Sequence, residues 1–256
     1  MSRHTRRDFI KRAAAAGLAA SFTIAGTKAS ARVLGANDRL RVGVCGLNGR
    51  GKNHADEYLR MDNVELAYVI DPDSNVRDRA LESAAKKANG YTIKGVADVR
   101  EALADKNLDA ISVATPNHWH SLMVIWAAQA GKHCYVEKPA SHDIYEGRVA
   151  LEAWKKYGVV VQHGTQQRSD SGRAAQIAAV RSGTFGRLKI SYGYCCKPRS
   201  GIGFKDPGDP PSNLNWDLWR GPAVIEQYHG NYHPYNWHWF WKSGNGDLNN
   251  QGTHQL

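Results

Sequence analysis

The chain is predicted to fold as a doubly wound parallel α/β sheet, and three observations carry that prediction. From residue 40 to about residue 163, short apolar runs alternate with amphipathic helical stretches. That is the pattern that stacks helices on both faces of a parallel sheet. A glycine-rich turn, Gly46-Leu47-Asn48-Gly49-Arg50-Gly51, stands between the first apolar run and the first helical one. Glu137-Lys138-Pro139 closes a later apolar run and so stands at the carboxyl end of a predicted strand, where open α/β sheets hold their ligands.

The elements follow in order. Residues 40–45 read as an apolar strand, 46–51 as the turn and 52–61 as a helix. Residues 64–70 form the second strand, which ends in Asp71-Pro72, and Ser74 caps a helix to about residue 88. A short strand at 91–93, rich in aromatic and β-branched residues, precedes a helix at 99–104. Residues 109–114 are the fourth strand, 122–130 a helix, 133–136 the fifth strand, 145–157 a helix and 159–163 the last strand. This gives a Rossmann-type domain over residues 32–163, with residues 1–31 set apart as a leader.

Past residue 163 the character changes. Residues 173–181 read as a helix, 188–196 alternate like a half-exposed strand, and 197–215 form a Gly/Pro-rich loop. An aromatic block follows with five of the eight tryptophans: Trp216, Trp219, Trp237, Trp239 and Trp241. Residues 164–256 are expected to be the start of a second, α+β sheet domain that the chain does not complete. The aromatic block is either the core of that domain or a set of flat faces for the C–H side of a sugar ring.

At 256 residues and 42% hydrophobic, the chain has room for about one to two domains. The formal charge is +10, of which residues 1–31 carry +5. The remaining basic residues are scattered, which argues against a groove that tracks phosphates and excludes nucleic acid as an expected partner. The leader runs Thr5-Arg6-Arg7-Asp8-Phe9-Ile10-Lys11, then an alanine-rich apolar stretch, then Ala29-Ser30-Ala31. This order resembles a twin-arginine export signal. It implies the twin-arginine export machinery as a partner and a periplasmic or otherwise exported location. The apolar stretch is shorter than the ~20 residues of a spanning helix, so no membrane span is expected after cleavage. None of the four cysteines shows a metal-type spacing.

The glycine turn lies between strand and helix, as a dinucleotide fingerprint must. Gly46 permits the tight turn, Gly51 permits close packing of helix on strand, and the helix N-terminus presents backbone N–H groups to a pyrophosphate. Asn48 replaces the usual middle glycine. Asp71, 20 residues beyond Gly51, is either a turn aspartate or the acceptor of the adenosine ribose hydroxyls; the upstream turn favours the second, and with it NAD over NADP. Thr115-Pro116-Asn117-His118-Trp119-His120 follows the fourth strand and opens on the same face. His118 and His120 stand two apart and point in different directions, so no metal is expected there.

Together these motifs resemble the glucose-fructose oxidoreductase and inositol dehydrogenase family, Gfo/Idh/MocA. The later Asn213-Leu214-Asn215-Trp216-Asp217-Leu218-Trp219 and the stretch from Gly244-Asn245-Gly246-Asp247 to Gly252-Thr253-His254 resemble a secreted branch of it. The resemblance implies an NAD-dependent oxidoreductase acting on a small carbohydrate, a sugar or glycoside. Gly46, Asn48, Gly49, Arg50, Gly51, Asp71, Thr115, Pro116, Asn117, His120, Glu137 and Lys138 would hold the cofactor. Lys138 and His254 would flank the reacting hydroxyl, with Arg168, Asn250 and Trp237 on the substrate side. Asn250 stands where the family often has aspartate; an amide orients a hydroxyl but exchanges no proton. Export further implies a cofactor that stays bound and is recycled. Two alternatives remain: a redox-neutral NAD-dependent glycoside hydrolase, and a non-catalytic NAD-binding remnant. The oligomeric state is open, a homo-oligomer included.

Overall fold

The computed structural model describes residues 39–88, 90–194 and 197–255; the leader and the Cys195-Cys196 pair lie outside them. Six strands, β1 (Leu40–Cys45), β2 (Val64–Ile70), β3 (Lys94–Val96), β4 (Ala110–Val113), β5 (His133–Glu137) and β6 (Val161–Gly164), form one sheet in the order β3-β2-β1-β4-β5-β6. Every pairing is parallel. The helices between them are α1 (Arg50–Tyr58), α2 (Ser74–Ala85), α3 (Val99–Leu103), α4 (His120–Gln129) and α5 (Ile144–Tyr157). The strand order reverses between β1 and β4, and the connections to either side leave a crevice at their carboxyl ends.

Both faces of the sheet are buried, which is why its strands read as near-continuous apolar runs. Successive strand residues feed opposite cores. Val44, Leu66 and Val69 pack with Ala55 of α1 and with Val76 and Ala84 of α2. Their neighbours Cys45, Ala67 and Ile70 pack on the other side with Val99, Ala102 and Leu103 of α3 and with Met123, Val124 and Ala127 of α4.

Two local expectations are corrected. The third strand falls at Lys94–Val96, not at 91–93, because Lys94 to Val96 align with Tyr68 to Ile70 of β2. The apolar Ile93 and Tyr91 instead pack in the core beneath α2. That helix is capped by Asp73 rather than Ser74: Asp73 accepts from the amides of Asn75 at 2.9 Å and Val76 at 3.2 Å. Asp143 and Glu146 cap α5 reciprocally, and Gly158 ends it in the left-handed conformation.

After β6 the expected sheet is not built among the described residues. The helix here, α6, spans Ser171–Arg181. Residues 188–194 form no strand, and Leu188, Ile190 and Tyr192 are exposed. Alternation assigns residues to faces, but a ladder also needs a neighbour offering N–H and C=O groups in register. The aromatic block instead makes a core of its own from Leu214, Trp219, Ile225, Tyr232 and Trp237, around the short helix α7 (Trp216–Arg220). It docks back on the parallel sheet. The Asn213 carbonyl accepts from Ser74 N, Asn215 N donates to the Pro72 carbonyl, and Asn117 Nδ2 donates to Asn245 Oδ1. The last helix, α8, spans Gly246–Gln255. No helix among the described residues is long and apolar enough to cross a membrane.

Candidate active site in the cofactor cleft

The glycine turn is fixed by sterics. Gly46 has φ of +81°, and a Cβ there would lie 2.7 Å from the Ala114 carbonyl oxygen. At Gly51 a Cβ would lie 1.8 Å from the Gly46 oxygen. Neither position admits a side chain without moving backbone. The helix that follows, α1, has no side-chain cap and no acidic residue in its first turn. Its first amides and the positive end of its dipole are therefore left for an anionic ligand. These features fit a dinucleotide pyrophosphate.

Asp71 directly follows β2 and is buried. Its two oxygens accept from Leu47 N at 2.8 Å and Asp73 N at 3.0 Å, so the carboxylate also ties the glycine turn to the next loop. Burial pushes its pKa up to about 6, against the lowering effect of those two N–H bonds. After β4, His120 is fully buried. Its ring nitrogens meet the Pro139 carbonyl at 2.6 Å and the Thr115 carbonyl at 2.9 Å, which holds the loops after β4 and β5 against each other. His118 similarly faces the carbonyls of Trp219 and Ser243, and burial lowers its pKa to about 4.

Glu137, at the end of β5, accepts on Oε1 from Arg50 Nε and faces His54 Nε2, each at 3.2 Å; Oε2 accepts from Lys138 N at 3.2 Å. The other nitrogen of His54 meets Ser112 Oγ at 2.9 Å. Burial pushes the Glu137 pKa up, but the hydrogen bonds of His54 and Arg50 outweigh it and hold the carboxyl at about 2. The next residue, Lys138, sends its ammonium to the far wall: Nζ donates to Asn250 Oδ1 at 2.6 Å and to the Asn250 carbonyl at 3.1 Å. Burial lowers the Lys138 pKa despite the neighbouring Glu137 charge.

These groups surround one cavity of about 370 Å³. Of the residues read from the sequence as cofactor contacts, Gly46, Asn48, Gly49, Arg50, Asp71, Thr115, Pro116, Asn117, His120, Glu137 and Lys138 line it. Gly51 packs beneath the turn instead. Asn250 and Trp237 line it too, whereas Arg168 is exposed and, like His254, is not among its lining residues. Trp237 is also part of the aromatic core, as the core reading of the block has it. His254 lies within the field of Lys138; burial first, then that charge, lowers its pKa. Its Nδ1 is buried without a hydrogen-bond partner.

Sequence reasoning missed His54, which meets Glu137, and Ser112, which meets His54, as well as His233, Tyr235 and His238, which also line the cavity. For His54 there was a signal: a polar side chain on the inner face of α1, three residues past Gly51. Ligand atoms of His142, Asp143 and Glu146 lie within 4.8 Å of one another. That grouping is explained by the cap of α5, in which Glu146 accepts from the backbone of Asp143 and Asp143 from Glu146 N.

Residues 40–165 match the model of an oxidoreductase family with an NAD-binding Rossmann fold, GFO_IDH_MocA. The chain is similar to myo-inositol 2-dehydrogenase of Thermotoga maritima, with 32% identity over 67% of this chain and 47% of the relative. It is also similar to a glycosyl hydrolase family 109 protein of Shewanella baltica, with 29% identity over 59% of this chain and 34% of the relative. Among solved structures, GenD2 from gentamicin A biosynthesis in complex with NAD superposes with a TM-score of 0.52 at 28% identity, over 59% of this chain and 42% of that one. The chain spans less than half the length of each of these proteins.

Proposed function

Given that the chain belongs, through the NAD-binding Rossmann fold of residues 40–165, to the Gfo/Idh/MocA oxidoreductases, we propose that it oxidises a secondary hydroxyl of a cyclic polyol or sugar, with Lys138 moving the hydroxyl proton. The observation that carries this reading is the bond pair from Lys138 Nζ to both oxygens of Asn250, at the carboxyl end of the sheet. Both partners only accept. A neutral amine bound to them gives up its two N–H groups and keeps its lone pair for a substrate hydroxyl. Burial, which lowers the Lys138 pKa, favours that neutral form, as a base near neutrality requires. NAD bound at the glycine turn supplies the hydride acceptor. To His254, whose buried Nδ1 is unpartnered and which feels the Lys138 charge, this reading gives the onward transfer of the proton.

The family identity and the inositol dehydrogenase relative support a ring polyol as the substrate class. Asp71 supports NAD over NADP, since a 2′-phosphate would meet a buried carboxylate. The family 109 relative favours one second reading: a redox-neutral glycoside hydrolase in which oxidation is transient. Incubation with NAD and a panel of inositols, hexoses and aryl glycosides separates the readings. Lasting nicotinamide reduction supports the dehydrogenase, aglycone release without it supports the hydrolase, and tight NAD binding with neither would leave a cofactor-binding remnant.

The leader supports export in the folded state, after which a recycled cofactor is expected. A reporter behind residues 1–35 should cross the membrane when folded and stop when Arg6→Lys and Arg7→Lys are combined. Unchanged export of the double variant would remove this reading.

A further inference from the structure

We propose that residues 213–240 form a second wall of the dinucleotide site, latched at its adenosine end through Asp73, and that this latch sets how long bound NAD stays. The inference rests on the NAD reading of the cleft and adds to it residues outside the family-matched stretch of 40–165.

Trp219, His233, Tyr235 and Trp237 face the same cavity as Leu47 and Asp71. A dinucleotide reaching from Asp71 to Lys138 therefore lies between the parallel sheet and this wall. The wall is held at the Trp219 carbonyl by Trp119 Nε1 and His118, and it is fastened again next to Asp71. Residues 213–215 run antiparallel to residues 72–74, with Asp73 bridged to Leu214. Ser74 N donates to the Asn213 carbonyl at 2.8 Å, and Asn215 N donates to the Pro72 carbonyl at 3.0 Å.

The Asp73 side chain sits at the centre. It is buried. Oδ1 caps α2 and also accepts from Asn213 Nδ2 at 2.8 Å, while Oδ2 faces His233 Nε2 at 3.5 Å. Asp73 N in turn donates to Asp71 Oδ1 at 3.0 Å. The group that holds the wall and the group assigned to the ribose are thus one hydrogen bond apart. Lifting the wall to release the cofactor breaks the paired backbone bonds and strips Asp73 of Asn213 and His233. Changes of this kind act mostly on dissociation rates.

The test measures NADH association and release by fluorescence, with an excess of NAD as chase. In Asn213→Ala combined with His233→Ala, release should quicken by roughly tenfold or more while association stays within about threefold. Release of ADP-ribose should quicken in parallel, because the latch lies at the adenosine end. A folded double variant with release within about twofold of the unmodified protein would overturn the latch. Should that variant fail to fold, hydrogen exchange in the unmodified protein decides: the amides of Ser74 and Asn215 should gain protection when NAD binds, and unchanged exchange would overturn the proposal. Failure of the unmodified protein to bind NADH at all would overturn the NAD site itself, and the latch with it.

Discussion

Lys138 donates from Nζ to the Asn250 side-chain oxygen at 2.6 Å and to the Asn250 backbone oxygen at 3.1 Å, joining the end of β5 to α8 across the cleft. The side-chain partner is an uncharged amide. Burial is therefore free to lower the Lys138 pKa, with only the Glu137 charge working against it. Asn250→Asp places a carboxylate against the ammonium and stabilises the charged form. The rising limb of the pH–rate profile should move up by about one unit or more. Rates measured across pH with the best-accepted polyol check this; an unmoved limb would separate Asn250 from the proton transfer.

Asp71 gives a second pH dependence. Burial pushes its pKa up to about 6 in the free protein. In the proposed cofactor site, ribose hydroxyls would donate to the carboxylate and so favour the deprotonated form. NAD binding then lowers this pKa, and by linkage affinity rises with pH through about 6 and levels off above it. Calorimetry at about pH 5 and about pH 8 should show tighter NAD binding at the higher value. Asp71→Asn should flatten that difference and narrow the proposed preference for NAD over NADP.

Glu137 has the opposite sign. His54 and Arg50 outweigh burial and bring its pKa from 4.5 to about 2. Its contribution to stability is fully present above about pH 4.5 and is lost as pH falls towards about 2, on the order of 3 kcal/mol. Denaturant unfolding at about pH 6 and about pH 3 should show a smaller acid loss in Glu137→Gln than in the unmodified protein. Equal losses would mean that the His54–Glu137–Arg50 group does not hold the site together.

The parallel sheet was legible because a strand buried on both faces leaves a run such as Leu40–Cys45 or Val64–Ile70 that no amphipathic helix produces. The glycine turn was legible because Gly46 and Gly51 answer to backbone sterics within six residues. What stayed hidden depends on partners distant in sequence. His54 meets Ser112 and Glu137 across separations of 58 and 83 residues, and no local pattern encodes that. Residues 91–93 have the propensity of a strand, yet β2 pairs with 94–96, since register is decided by the neighbour. Residues 188–194 show the converse, an alternating pattern without a ladder. The aromatic block announced its apolar content but not its docking site, which is set by single polar contacts such as Asn213 to Asp73 and His118 to the Trp219 carbonyl.

The central claim is that Lys138 moves the hydroxyl proton beside bound NAD, and Lys138→Ala tests it most directly. The Nζ is held by Asn250 and makes no bond to Asp71 or the glycine turn, so the variant should keep NAD affinity within about threefold while turnover of the accepted polyol falls by roughly 10²-fold or more. Binding by calorimetry and turnover by nicotinamide absorbance, on the same preparation, give both numbers. A Lys138→Ala protein that binds NAD and turns over at the unmodified rate would contradict the account.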